Sequence, residues 1–154
     1  MWIGTVTNLH YVPRSFLPMI AVKKLNLVEG CGVEGDRYMM NEGFYSDRPE
    51  AGRQITLFEI ETLDALFRDH NIILNPADHR RNITVRNVPL NHLVGKKITI
   101  GNVVLEGTRL STPCRHIEQI TNQEIFTPLL NRSGLHARIL NSGTINVGDQ
   151  IELL

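Results

Sequence analysis

Cysteine is scarce: the 154 residues hold two, Cys31 and Cys114. A disulfide-built scaffold is therefore excluded as the organising principle, and both are expected as thiols. Charge of one sign is also lacking. Sixteen Lys and Arg balance sixteen Asp and Glu, and the net charge is zero. A general nucleic-acid binder carries a basic excess, so that class is excluded. No stretch approaches the ~18 apolar residues of a spanning helix, so no membrane partner is expected. The start, Met1-Trp2-Ile3-Gly4-Thr5-Val6, reads as a strand and has no charged n-region followed by an apolar h-region, so the cytoplasm is the expected compartment. No repeat, linker or low-complexity tract divides the chain, and residues 1–154 read as one domain. Such a length buries about two thirds of the surface its unfolded chain exposes. Cys-x-x-Cys and His-Glu-x-x-His spacings are absent, which argues against structural zinc from Cys114 and His116 with His136 or Cys31. Flavin, haem and iron–sulfur motifs are absent too, so redox chemistry would need an outside electron donor.

What is present is mostly strand. Residues 2–12 carry Ile3, Val6 and Tyr11 and close at Pro13. Met19 to Leu27 is a second extended stretch. Gly30, Gly32 and Gly35 then mark a loop that needs positive φ or close backbone approach. Residues 41–52, with Gly43, Pro49 and Gly52, read as a long loop. Gln54–Leu57 is a short strand that leads into a core-packing helix over Phe58–His70. In that helix Ile60, Leu63, Leu66 and Phe67 fall at helical spacing, and Thr56 with Glu59 suggests a capping box. Asn82–Arg86 is a strand. Gly101-Asn102 between two β-rich runs is a hairpin signal. Thr121–Glu124 repeats the capping pattern and predicts a short helix stopped by Pro128. Leu135–Leu140 and Thr144–Leu154 are the last strands. Many short strands with two helices predict a mainly β, barrel-like single domain.

Three patterns can carry chemistry. Cys114 stands in Ser111-Thr112-Pro113-Cys114-Arg115-His116, beside two potential cations. A thiolate there can attack electrophiles, carry sulfur or bind a soft metal, whereas the commoner fate of free cysteine is a small buried apolar side chain. The glycine loop ends in Asp36-Arg37 and can present N–H groups and a guanidinium fork to an anion; a tight turn with a local ion pair fits the residues equally well. In His79-Arg80-Arg81-Asn82, an extended backbone would put Arg80 and Asn82 on one face as a donor pair for phosphate or a polar heterocycle. A solvated strand start is the plainer alternative. Arg53, before the Gln54 strand, is a further candidate donor.

Taken in order, these pieces resemble the MOSC domain, named for the molybdenum cofactor sulfurase C-terminal domain. The resemblance rests on Gly32-Val33-Glu34-Gly35-Asp36-Arg37, Gly52-Arg53-Gln54-Ile55, Arg80-Arg81-Asn82-Ile83, Val94-Gly95, Ile100-Gly101 and Pro113-Cys114. It continues through Gly134-Leu135-His136-Ala137-Arg138-Ile139-Leu140 and from Gly143 to Gly148-Asp149, spanning roughly residues 4–153. The short, stand-alone bacterial type is the most similar. The resemblance implies a closed, mostly β barrel with a cleft for the pterin-based molybdenum cofactor (molybdopterin). It gives Cys114 the thiol role, as a persulfide carrier or a molybdenum ligand. It gives Arg80 and Asn82 the polar or phosphate end of the cofactor, with Arg37 and Arg53 as weaker carry-overs.

Three functions follow from the resemblance. Cys114 can take sulfur from a cysteine desulfurase and carry it to the cofactor, or simply serve cofactor carriage. The domain can reduce N-hydroxylated bases or amidoximes through molybdenum with an electron-donor protein. It can also be a non-catalytic binding module for a pterin phosphate. The reductase branch of the family is expected to place a second cysteine three residues after the first, where this chain has Ile117. That departure favours the sulfur-carrying reading.

Overall fold

The computed structural model describes residues 1–41, 43, 52–113 and 115–154. Eleven strands and two α-helices follow one another in the chain. They are β1 (Gly4–Tyr11), β2 (Ile20–Val22), β3 (Lys24–Val28), β4 (Gly32–Val33), β5 (Ile55–Glu59), α1 (Ile60–His70), β6 (Ile83–Arg86), β7 (Lys97–Ile100), β8 (Val103–Leu110), α2 (Arg115–Thr121), β9 (Leu135–Ile139), β10 (Gly143–Asn146) and β11 (Gln150–Leu153). Seven strands pair in the cycle β1-β11-β7-β8-β9-β5-β6 and return to β1, which closes a barrel. β2 extends the sheet from β1, and β10-β3-β4 form a small second sheet. The mainly β, barrel-like expectation therefore holds. Among the described residues, no helix is long and apolar enough to cross a membrane.

Strand alternation sorts the wall of the barrel. Ile55 and Leu57 of β5, Ile83 and Val85 of β6, and Leu135, Ala137 and Ile139 of β9 join the barrel core. Their neighbours of opposite parity, Thr56, Thr84 and His136, therefore face away from that core. Each fully buried Leu or Ile contributes roughly 1.5–3 kcal/mol. β5 is the hinge of this wall. It pairs antiparallel with β9 through Ile55–Leu57 and parallel with β6 through Leu57–Glu59. The parallel pair needs a crossover, and α1 supplies it. Phe58 and Leu66 form a second core with Leu74, Ile117, Ile125 and Leu129, packed outside the barrel. Gly134 sits where loop and wall touch. Its φ is 102°, and a Cβ there would collide with the Leu57 carbonyl.

The expected Gly101-Asn102 hairpin joins β7 and β8, with Gly101 at φ 55°. Two helix expectations need correction. Thr56 lies inside β5 and caps nothing, because its hydroxyl is held by Asn82 across the sheet. Glu59 takes the α1 cap position with extended backbone and no side-chain cap bond. The second helix ends, rather than starts, at Thr121. Asn122 turns left-handed at φ 53°, and its N–H reaches the Glu118 carbonyl at 2.8 Å. Asparagine tolerates that conformation and so acts as a stop. Phe67, expected in the core, is exposed on α1.

Candidate functional site

The outward face of the β5–β6 wall carries a buried polar network. Asn82 and Thr56 bond reciprocally: Asn82 Oδ1 accepts from Thr56 N and Oγ1, and Thr56 Oγ1 accepts from Asn82 N, all at 3.1 Å. Asn82 Nδ2 donates to the His10 carbonyl at 3.2 Å. Asn82 thus stitches β1, β5 and the entrance of β6. Beside it, His79 Nδ1 accepts from Arg81 N at 2.9 Å. The proton of the neutral ring is then on Nε2, which donates to Thr84 Oγ1 at 2.8 Å. The imidazole also stacks on Phe58, with centroids 4.3 Å apart. Burial, and then the charge of Arg81, hold its pKa well below the usual histidine value.

Four arginines gather above this wall. Arg80 adopts a left-handed backbone, φ 67°, which turns its carbonyl to accept from Arg37 Nη2 at 2.7 Å. Arg37 Nη1 donates to Asp36 Oδ1 at 3.0 Å and meets the Met19 sulfur at 3.8 Å. Asp36 Oδ1 also accepts from Val12 N at 3.1 Å. Arg80 Nη1 donates to the Leu17 carbonyl. Arg81 reaches the other way, to Ser133 O at 3.1 Å and to Ser133 Oγ and Thr112 O at 3.3 Å. It therefore ties the segment before β9 to the segment leading into Pro113-Cys114. The Arg53 and Arg37 guanidiniums lie 4.4 and 4.7 Å from the ring centroid of Tyr38, within cation–π range.

His116 of α2 belongs to the same cluster. Burial, and then the charges of Arg80, Arg37 and Arg81, lower its pKa to about 4, so the ring is neutral near pH 7. Phe16 packs against it edge to face at 4.5 Å. The fully charged side chains buried among the described residues are Arg37, Arg53, Arg80, Arg81 and Asp36. Ser111 Oγ is buried without a hydrogen-bond partner among the described residues, while its N–H holds the Gly134 carbonyl at 2.8 Å.

The structure brings Arg37, Arg53 and Arg80 together as buried side chains. The extended alternation expected over 79–82 does not hold. Arg80 is left-handed, β6 starts only at Ile83, and His79, Arg80, Arg81 and Asn82 are all buried. A solvated strand start is thereby ruled out. The Arg80 guanidinium reaches the Leu17 carbonyl, whereas the Asn82 amide is bonded to Thr56 and to the His10 carbonyl within the wall. Cys114 and most of the 41–52 loop lie outside the described residues. Cys31 is exposed on the turn between β3 and β4. The sequence reading missed Arg81, Tyr38 and Phe16. Tyr38 follows Arg37 directly, but a cation–π partner is signalled by geometry and not by adjacency.

These residues fit an anionic group. Each guanidinium offers a planar fork of N–H donors. Among the described residues no three His, Cys, Asp or Glu side chains form a metal-holding group.

The sequence pattern of the MOSC domain matches residues 35–152. No curated protein matches the sequence. Among solved structures, YuaD from Bacillus subtilis superposes with a TM-score of 0.83 at 19% identity, over 99% of this chain and 98% of that one. YiiM from Geobacillus stearothermophilus gives 0.72 at 12% identity, over 98% of this chain and 75% of that one. YiiM from Escherichia coli gives 0.70 at 17%, over 100% of this chain and 70% of that one. At these identities the structures establish a shared fold. With a buried arginine cluster on the wall of a closed barrel, and the family's own pattern running from the glycine loop to the last strand, this chain belongs to the MOSC domain family.

Proposed function

We propose that this chain is a cytoplasmic molybdenum-cofactor-binding domain that uses Cys114 to carry sulfur or to hold the cofactor. The observation that carries the reading is the cluster of buried Arg37, Arg80 and Arg81, in which Arg37 holds the Arg80 carbonyl and Arg81 holds the Thr112 carbonyl two residues before Cys114 in the chain. Arg80 and Arg37 would take the phosphate end by charge-assisted hydrogen bonds, with Arg53 held against Tyr38 as a further donor. The cofactor, once bound, supplies a molybdenum centre that accepts sulfur and oxygen ligands.

The remaining chemistry belongs to the chain. A positive environment favours thiolate over thiol at Cys114. In sulfur carriage the thiolate attacks the outer sulfur of a desulfurase persulfide. A new S–S bond forms on Cys114, and the donor's thiolate leaves with the electron pair of the broken bond. Arg81 positions the approach to Cys114 by holding the Thr112 carbonyl. Neutral His116 adds no proton to this exchange near pH 7 and leaves the positive charge to the arginines.

The test is metal and pterin analysis of the protein purified from cells that make the cofactor. Stoichiometric pterin that is retained by wild type and lost in Arg80→Gly is the expected result. Protein that carries neither pterin nor molybdenum, and binds neither when they are supplied, would overturn the reading.

A further inference from the structure

A side chain closes the turn that aims the arginines. His79 Nδ1 accepts from the N–H of Arg81, two residues on, at 2.9 Å. An Asn or Asp side chain makes the same bond in a side-chain-closed turn. Here an imidazole takes that part, and Arg80 is the residue enclosed. Arg80 stands at φ 67°, a conformation that a residue other than glycine keeps only where its surroundings hold it. Asn82 fixes the exit of the turn on the wall, where its N–H donates to Thr56 Oγ1 at 3.1 Å. His79 fixes the entrance. Its ring is buried, stacks on Phe58 and meets Thr84 Oγ1 through Nε2.

The consequences divide at Arg80. Its carbonyl accepts from Arg37 Nη2 at 2.7 Å, and its own guanidinium reaches the Leu17 carbonyl. Arg81 leaves the other way, toward Ser133 and Thr112. One backbone bend therefore sets three of the buried guanidiniums, Arg37, Arg80 and Arg81. The bond that closes the bend needs an Nδ1 without a proton. Burial, and then the charges of Arg81 and His10, keep the ring neutral, and Thr84 Oγ1 takes the proton on Nε2. We infer that His79 is a positioning residue of the anion site, whose unprotonated Nδ1 pins the turn that aims Arg80 and Arg81 and holds the Arg80 carbonyl for Arg37. It acts through the arginines and touches no ligand itself. The inference rests on the anion-binding reading of the cluster and adds what orients it.

Two substitutions separate the pin from the packing. In His79→Asn the side-chain oxygen stands near the position of Nδ1 and can accept from the Arg81 N–H. In His79→Gln the longer amide reaches toward Thr84, the Nε2 position, and leaves the Arg81 N–H without that acceptor. Both lose the stack on Phe58, so the loss of packing is common to the two. Inorganic diphosphate is titrated calorimetrically into the full chain and into each variant, and hydrogen exchange of the Arg81 amide is followed by NMR. His79→Asn should bind within about twofold of wild type and keep the Arg81 amide protected, because the turn keeps its closing bond. His79→Gln should bind about fivefold to tenfold more weakly, the scale of one hydrogen bond, and its Arg81 amide should exchange faster. Equal affinity in the two variants, or a greater loss in His79→Asn, overturns the positioning role while the anion site stands. Should neither variant fold, the wild-type imidazole decides. Its nitrogen-15 shifts at pH 7 should show a neutral ring with the proton on Nε2, and a proton on Nδ1 overturns the inference. Wild type that binds no diphosphate removes the anion site and the positioning role with it.

Discussion

Arg37 donates from Nη2 to the Arg80 carbonyl at 2.7 Å, joining positions 43 residues apart. The bond depends on the left-handed backbone of Arg80, which turns the carbonyl toward the guanidinium. The two arginines therefore differ as experimental targets. Removing Arg37 would leave Asp36 as a buried carboxylate without its ion-pair partner, a loss of about 3–5 kcal/mol. Removing only the Arg80 side chain spares both the carbonyl and the turn.

Arg80→Gly separates binding from folding, since glycine takes φ 67° without strain. The stability read from urea denaturation should fall by no more than about 1–3 kcal/mol, the cost of leaving the Leu17 carbonyl without its donor, because the carbonyl that Arg37 needs is intact. Affinity for inorganic diphosphate should fall by about 1.5–3 kcal/mol, the range of a hydrogen bond to a charged group. Calorimetric titration reads the second quantity, and unchanged affinity would remove Arg80 from the site.

Asn82 is expected to behave in the opposite way. Its amide satisfies Thr56 N–H, the Thr56 hydroxyl and the His10 carbonyl, all within the wall. Asn82→Ala leaves buried groups without partners and should cost about 3 kcal/mol of stability in urea denaturation. Diphosphate affinity of the folded protein should stay within about twofold. A large affinity loss at unchanged stability would instead make Asn82 a direct ligand, the role that the family resemblance gives it.

Local pattern and long-range consequence part company at these residues. The β7–β8 hairpin was legible because Gly101-Asn102 carries its own turn chemistry. Closure of the barrel was legible only through the family resemblance, because it depends on Gly4 pairing with Ile151, and no local pattern encodes that contact. Thr56 looked like a helix cap because Glu59 follows three residues later, yet its partner lies 26 residues away. Arg80 and Asn82 looked like one face because alternation assumes an extended chain, and the positive φ of Arg80 breaks that assumption. Residue types marked Arg37, Arg53 and Arg80 as candidates, while the role of Arg81 follows from the Ser133 and Thr112 carbonyls it meets only in the fold.

His79 gives the protein a defined acid sensitivity. Its folded pKa lies well below the ordinary value of 6.5, first because it is buried and then because Arg81 is close. In the unfolded chain the same ring takes up a proton near pH 6.5. Below that pH the unfolded state binds more protons than the native state, so stability falls as pH drops and is level above it. The limiting slope for one proton is about 1.4 kcal/mol per pH unit. Urea midpoints between pH 7.5 and 4.5 should show this decline. His79→Gln should be less stable at pH 7, having lost its stack on Phe58, and should show a shallower decline. An identical slope in the variant would place the acid sensitivity elsewhere.

Cys114 carries the functional reading, and its reactivity can be measured independently of any cofactor. The isolated thiol has a pKa of about 8.5. Burial first, and then the charges of Arg80, Arg37 and Arg81, lower the pKa of His116, two residues further along the chain, to about 4. The same positive field that opposes a cation on His116 favours an anion on sulfur, so the Cys114 thiol should titrate below its ordinary value. The rate of iodoacetamide alkylation against pH, followed by mass spectrometry to separate Cys114 from exposed Cys31, should rise at Cys114 with a midpoint below the ordinary thiol value of about 8.5. Arg80→Gly should move the Cys114 midpoint upward. Cys114→Ser should retain wild-type stability within about 1 kcal/mol, since the change in volume is small, and should abolish persulfide formation with a desulfurase and its substrate. A Cys114 thiol that reacts only with the ordinary midpoint, in wild type and Arg80→Gly alike, would detach the cysteine from the arginine cluster and leave the site as a binding module alone.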